Sequence, residues 1–190
     1  MRPMSRFATA LQGLCLAAAV ACHGSPGSRG ASASPAVPRV SDGNVVAIIL
    51  AANATDLSYA RLVPGRAKSA EVKAFAARMT TDHTLLNARV NDIALRNRIT
   101  AEDDAISLDF RDHSAARRDV LREQEGAQFD STYTLNEVQY HQELLAAIDG
   151  VLARSVRNIE LRDFVLSLKP AVSAHLAHAE QVRAILASRK

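Results

Sequence analysis

From Asn44 onward, apolar residues recur three and four positions apart over long spans, and no stretch alternates with period two. A repeat near 3.6 residues puts such positions on one face of a helix, so this part of the chain is predicted to be helical. A first helix is expected over about 44–63, ended by the helix-breaking pair Pro64-Gly65. A second runs over 69–98 through Val72, Phe75, Ala76, Met79, Leu86, Val90 and Ile93. A shorter, less regular helix falls within 101–125. A third long helix spans about 130–154 through Val138, Leu145, Ile148 and Leu152, and a fourth spans 158–188 through Leu161, Val165, Leu168, Val172, Ala179, Val182 and Leu186. Each stripe needs a partner, and short connections make neighbours antiparallel. The expected fold is all-α: an antiparallel four-helix bundle with an extra short helix between the second and third long ones.

The N-terminal part follows another pattern. Met1 to Arg6 carries two Arg and no acid, and Phe7 to Ala21 is an apolar run too short to span a bilayer, ending in small residues. That order of segments is a secretory signal peptide over residues 1–21. The run closes on Ala19-Val20-Ala21-Cys22, which resembles the bacterial lipobox, where the Cys is acylated and becomes the new N-terminus. Cys22 is then a lipid anchor and the membrane a partner; cleavage after Ala21 with a free Cys is the alternative. Cys15 leaves with the signal, so no internal disulfide follows. His23 stands where an inner-membrane retention signal places Asp, which by resemblance favours the outer membrane. Residues 24–43, rich in Gly, Ser, Pro and Ala, have no apolar period and are read with Cys22 as a flexible tether, leaving 44–190 as the bundle.

Composition agrees with helices. The 190 residues are 48% hydrophobic and 23% charged, enough for one domain, with no Trp and 4% aromatics. The net charge of +3 falls to +1 once Arg2 and Arg6 are removed, and the remaining charges of both signs are interspersed. With no basic block interleaved with aromatics, the electrostatic footprint of nucleic-acid binding is missing.

Ser69-Ala-Glu71-Val72-Lys73-Ala-Phe75 and Asn158-Ile-Glu160-Leu161-Arg162-Asp-Phe164 open the second and fourth long helices alike, each with a cap, an early acid and a Phe. Convergence on good helix starts and duplication of a hairpin both account for this.

Several segments together resemble a known family. They are Ser69-Ala-Glu-Val-Lys-Ala-Phe-Ala-Ala-Arg-Met79 continuing to Asp82-His83-Thr84, Phe129-Asp130-Ser-Thr-Tyr133, Val138-Gln-Tyr-His141, and Leu168-Lys-Pro170-Ala-Val-Ser-Ala-His175-Leu176. In order and spacing, over roughly residues 45–186, they are similar to the bacterial domain of unknown function 4142 family. Its members are often labelled outer membrane proteins and placed in the ferritin-like superfamily. The resemblance implies a ferritin-like bundle, an envelope location and an association with stress tolerance. The chain departs from the family in having Asp56 where a Glu is usual, and Pro64-Gly65 within a stretch that is elsewhere helical.

One constellation carries chemistry. His83 fills the gap in the series 72-76-79-83-86-90, His141 in 138-141-145-148-152 and His175 in 165-168-172-175-179, so three imidazoles are expected to face the core from three helices. Each lies near the middle of its expected helix, as does Asp56 in the first, and midpoints of antiparallel neighbours are level. Imidazoles plus a carboxylate suit one transition-metal ion such as iron, manganese, zinc or copper, with Asp82 and Glu137 nearby as candidates either to bind the ion or to support its ligands. Metal bonds near 2 Å require the three nitrogens to lie within roughly 5 Å of one another. The bland alternative is a buried polar layer that fixes helix register. Thr80 and Val172 stand three before His83 and His175, so the Glu-x-x-His pair of di-iron bundles is absent and ferroxidase chemistry is not expected. His178 is expected toward the surface, His23 and His113 in exposed irregular regions, and Tyr59, Tyr133 and Tyr140 as core or boundary aromatics. No catalytic triad, phosphate loop or paired Cys motif appears after residue 43. Two functions therefore compete: a lipid-tethered, non-enzymatic envelope module for partner binding or stress tolerance, and a metal-binding or redox bundle built on His83, His141, His175 and Asp56.

Overall fold

The computed structural model describes residues 40–189. The expected signal peptide, Cys15, Cys22, His23 and most of the expected tether lie outside the described residues.

Helix α1, Asp42–Ala60, begins two residues before the expected start, because Ser41 and Asn44 form a capping box. The Ser41 hydroxyl accepts from the Asn44 backbone N–H at 3.1 Å, and Asn44 Oδ1 accepts from the Ser41 N–H at 2.9 Å. Asp42 and Gly43, read from sequence with the tether, are thus its first turn. Gly43 is there for space: a Cβ at this position would meet the Thr100 carbonyl at 2.5 Å. That contact lets Glu102 N–H donate to Gly43 O and Asn44 Nδ2 donate to Glu102 O, at 3.1 and 2.8 Å.

Pro64-Gly65 does not break the chain as expected. Both residues sit in a one-turn helix, α2, Val63–Arg66, with Pro64 in its first turn, where a missing N–H leaves no hydrogen bond unmade. Helix α3, Ala70–Arg96, is capped by the Ser69 hydroxyl, and α4, Ala105–Arg122, by an Asp104–Ser107 capping box. The α4 segment is a regular helix of 18 residues rather than a short irregular one. Helix α5, Gly126–Ala147, starts four residues earlier than expected and runs into a π-helical turn, Ile148–Leu152, followed by the short α6, Ala153–Ser155. Helix α7, Ile159–Ala187, is capped by Asn158 and continues through Pro170.

The chain folds as an all-α bundle. Among the described residues the one strand-like pairing is an isolated bridge between Ala67 and Gly126. Helices α1 and α3 form an antiparallel hairpin, with Asn53 opposite Asn87 and Asp56 opposite His83. Helices α5 and α7 form a second one, and α3 and α7 run antiparallel between Glu71–Arg189 at one end and Arg96–Glu160 at the other. The crossover helix α4 lies along α1 in the same direction, through Thr55 with the Phe110 carbonyl and Ser58 with Ser114, and it meets α5 through Arg117 and Glu143.

Helix α1 is therefore enclosed, with buried residues all around its circumference, including Val45, Val46, Ala47, Ile48 and Ile49 in succession. An all-round apolar helix is what such a central position demands. Its stretch is long and apolar enough to cross a membrane by composition, but 72% of the qualifying window is buried inside the protein. Phe75, Met79, Phe129, Leu161 and Phe164 complete the core around it. Each such large side chain contributes about 1.5–3 kcal/mol when fully buried.

Candidate metal centre

The apolar row of α3 is interrupted at His83, that of α7 at His175, and α5 carries His141 one turn beyond Glu137. All three imidazoles turn inward, as helical phase requires. They are buried, at 1%, 0% and 6% exposure for His83, His141 and His175, and Asp56 and Glu137 are fully buried beside them. The ring centroids of His83 and His141 are 6.1 Å apart, and each lies 5.4 Å from that of His175. One nitrogen from each ring falls within 4.8 Å of the others. Asp56 Oδ2 sits 3.2 Å from His83 Nε2 and 3.7 Å from His141 Nε2. Four helices thus contribute one group each.

His83 is at the centre of α3, His141 is at the middle of the unbroken helical run 126–155 that α5, the π turn and α6 make together, and His175 is near the middle of α7. Asp56, four residues before the end of α1, is the one group off centre.

The outer nitrogen of each imidazole has a partner, and this sets the tautomers. His83 Nδ1 lies 2.9 Å from Asn53 Oδ1, whose amide is oriented by donation to Asn87 Oδ1, also at 2.9 Å. His141 Nδ1 is 2.9 Å from the Glu137 carbonyl, and His175 Nε2 is 2.9 Å from Asp82 Oδ2. Each partner is an acceptor, so each outer nitrogen carries the hydrogen. Asp82 is itself held by Arg78 Nε at 2.5 Å.

The inner atoms have nothing. His83 Nε2, His141 Nε2, His175 Nδ1, both Asp56 oxygens, both Glu137 carboxyl oxygens and the Tyr133 hydroxyl are buried without a hydrogen-bond partner. Buried polar atoms are paired in the great majority of cases, and leaving one unpaired costs about 1–3 kcal/mol. His83 Nε2 and Asp56 Oδ2 face each other across 3.2 Å, a separation that a proton or a metal cation between them would bridge.

The electrostatics run the same way. Burial acts to raise the Asp56 pKa, but the surrounding imidazoles, His83 foremost, hold it below the usual carboxylate value. Burial, reinforced by the Asp56 charge, pushes Glu137 well above its ordinary range, so Glu137 favours the neutral acid. Burial lowers His141 to about 4 and also lowers His175, so both favour the neutral imidazole that binds metals. Three imidazoles and one carboxylate fit a first-row divalent cation in donor type and spacing.

The other singled-out residues divide. Asp82 and Glu137 support His175 and His141 as described. His178 is half-buried with its ring 5.1 Å from that of Phe75, away from the cluster. His113 is exposed, but on the regular helix α4 rather than in an irregular segment. Tyr59, Tyr133 and Tyr140 are core residues, and Tyr140 donates to the Ala52 carbonyl at 2.5 Å. Sequence reasoning missed Asn53. Its place three residues before Asp56, one turn away on the same face of α1, is the signal that could have found it.

Among known proteins, a family model described as "Domain of unknown function (DUF4142)" matches residues 27–182. No curated protein and no solved structure matches the chain.

Proposed function

Starting from the fact that the chain belongs to the family described as domain of unknown function (DUF4142), we propose that it is a metal-binding helical bundle that holds one first-row transition-metal ion through His83, His141, His175 and Asp56. One observation carries this reading. Each imidazole has its outer nitrogen hydrogen-bonded and its inner nitrogen bare, which is the arrangement by which protein ligands are oriented toward a metal. A layer that served only helix register would pair its polar atoms with one another. Bound there, the ion would supply positive charge between the Asp56 carboxylate and the imidazoles that face it.

Elemental analysis and calorimetric titration of the purified full chain test the reading. One ion per chain is expected, lost in His83→Ala and His175→Ala, with the helical circular-dichroism signal retained. Substoichiometric metal that is unchanged in His83→Ala sinks the proposal and leaves a structural polar layer.

The Arg2/Arg6 start, the short apolar run and Ala19-Val20-Ala21-Cys22 support a second, independent reading, that the bundle is exported and tethered to the outer membrane through a lipidated Cys22. Labelling with radioactive palmitate that persists in Cys22→Ser excludes the anchor at this residue.

A further inference from the structure

Helix α5 presents a ladder of which the metal reading uses only one rung, His141. Tyr133, Glu137 and His141 follow at intervals of four, so their side chains lie one turn apart on one helix face. All three are fully buried. The Tyr133 ring is fixed on both sides, stacked on Phe129 at 5.8 Å between centroids and edge-on to Phe75 at 6.2 Å. Its hydroxyl faces the Glu137 carboxyl without closing a hydrogen bond of good geometry, and neither the Glu137 nor the Asp56 carboxyl oxygens close one either. Packing accounts for the aromatic ring of Tyr133 and gives no account of its oxygen.

The spacing says what is missing. Asp56, Glu137 and His141 each bring one nitrogen or oxygen within 4.8 Å of the others, yet Asp56 and Glu137 make no hydrogen bond. An oxygen or nitrogen atom lying between two such groups, about 2.8 Å from each, spans separations of this size. Glu137 Oε2 lies 3.6 Å from His141 Nδ1 and Asp56 Oδ2 3.7 Å from His141 Nε2, so such an atom would stand beside the His141 ring and the Asp56 ligand of the proposed ion. The surroundings admit nothing large, since Phe75, Phe129 and Tyr133 wall off this side with no exposed surface.

We propose that the ion carries an exchangeable small ligand, water or a small inorganic anion, seated between Asp56, Glu137 and the Tyr133 hydroxyl. This rests on the metal reading. Tyr133 donates its O–H to the ligand, and Glu137 supplies the second contact from one turn along the same helix. Neither residue is needed to hold the ion itself.

Cobalt(II) and azide test this in the purified full chain, stripped with chelator and reloaded with Co2+. Cobalt reports its ligand sphere through visible d–d bands, independent of any activity. Azide is expected to shift those bands saturably in the wild type. Tyr133→Phe, which keeps the ring and deletes one oxygen, should bind one Co2+ as before and weaken azide by about tenfold, the loss of one hydrogen bond to a charged group. Glu137→Gln should likewise keep its cobalt. A cobalt spectrum indifferent to azide overturns the inference while leaving the metal reading intact, as does azide affinity unchanged in Tyr133→Phe. Loss of cobalt from Glu137→Gln makes Glu137 a ligand of the ion and overturns the inference in that form. A wild-type chain that takes up no cobalt overturns the metal reading itself, and the stoichiometry distinguishes that failure from the others.

Discussion

The two ends of the bundle and its middle treat their polar groups in opposite ways. At one end the Asp42 carboxylate accepts from the Arg157 and Asn158 backbone N–H groups at 2.7 and 3.0 Å, while Asn158, Asn97, Arg96 and Glu160 form a connected chain of contacts. At the other end the buried Asp130 carboxylate accepts from the Lys68 and Ser69 N–H groups at 3.1 and 2.8 Å, and Arg189 pairs with Glu71. These contacts satisfy the free amides of helix starts, which stabilises the fold. In the middle, carboxylate and imidazole atoms are packed just as tightly and left unpaired. The ends are arranged for folding, whereas the middle leaves buried polar atoms unpaired at a cost in stability.

That contrast should be visible in pH dependence. Without metal, burial holds His141 near 4, against an ordinary value of 6.5. Between those values the unfolded chain binds the extra proton and the folded chain does not. Stability from this residue is therefore full above pH 6.5 and is lost as pH falls toward 4, by up to about 3 kcal/mol. Glu137 has the opposite sign: its raised value gives stability below its ordinary pKa that is lost as pH climbs. Thermal unfolding in chelator should show the acid limb flatten in His141→Leu and the rise toward neutral pH penalise wild type more than Glu137→Gln. Identical acid limbs in wild type and His141→Leu would remove the middle's claim to be different.

The ends should respond to mutation in the reverse manner. Asp130→Ala strands two amides where α3 begins and should cost about 2 kcal/mol in urea unfolding, with metal stoichiometry untouched. Lys169→Ala, which breaks an exposed pair with Asp149 at the π turn, should cost under about 1 kcal/mol and also spare the metal. If Asp130→Ala lost metal in proportion to stability, ends and middle would form one cooperative unit and the distinction would fall.

Much of this arrangement was legible beforehand. Helical periodicity is a local property, so the inward direction of His83, His141 and His175 followed from the rows they interrupt. Asp56 has no such row, since α1 is apolar all around; it was found from its place near the middle of the first expected helix, where the resembled family carries a Glu. The long pairing of α4 with α1 was not legible, because a wide apolar surface says that neighbours exist and not which they are. Nor was the early end of α1 at Ala60, which leaves Asp56 near the C-terminus of that helix. Pro64-Gly65 misled because a proline ends a helix in its interior and starts one in its first turn. The outer partners Asn53 and Asp82 become meaningful only once neighbouring helices are in place.

The four central groups come one from each long helix of the two hairpins, separated along the chain by loops, a crossover helix and whole rods. An ion bound to all of them would rivet the hairpins together, and no single helix could peel away without breaking a coordination bond. Its departure would then keep time with the opening of the whole domain, so a chelator should extract it slowly, at a rate governed by unfolding rather than by diffusion.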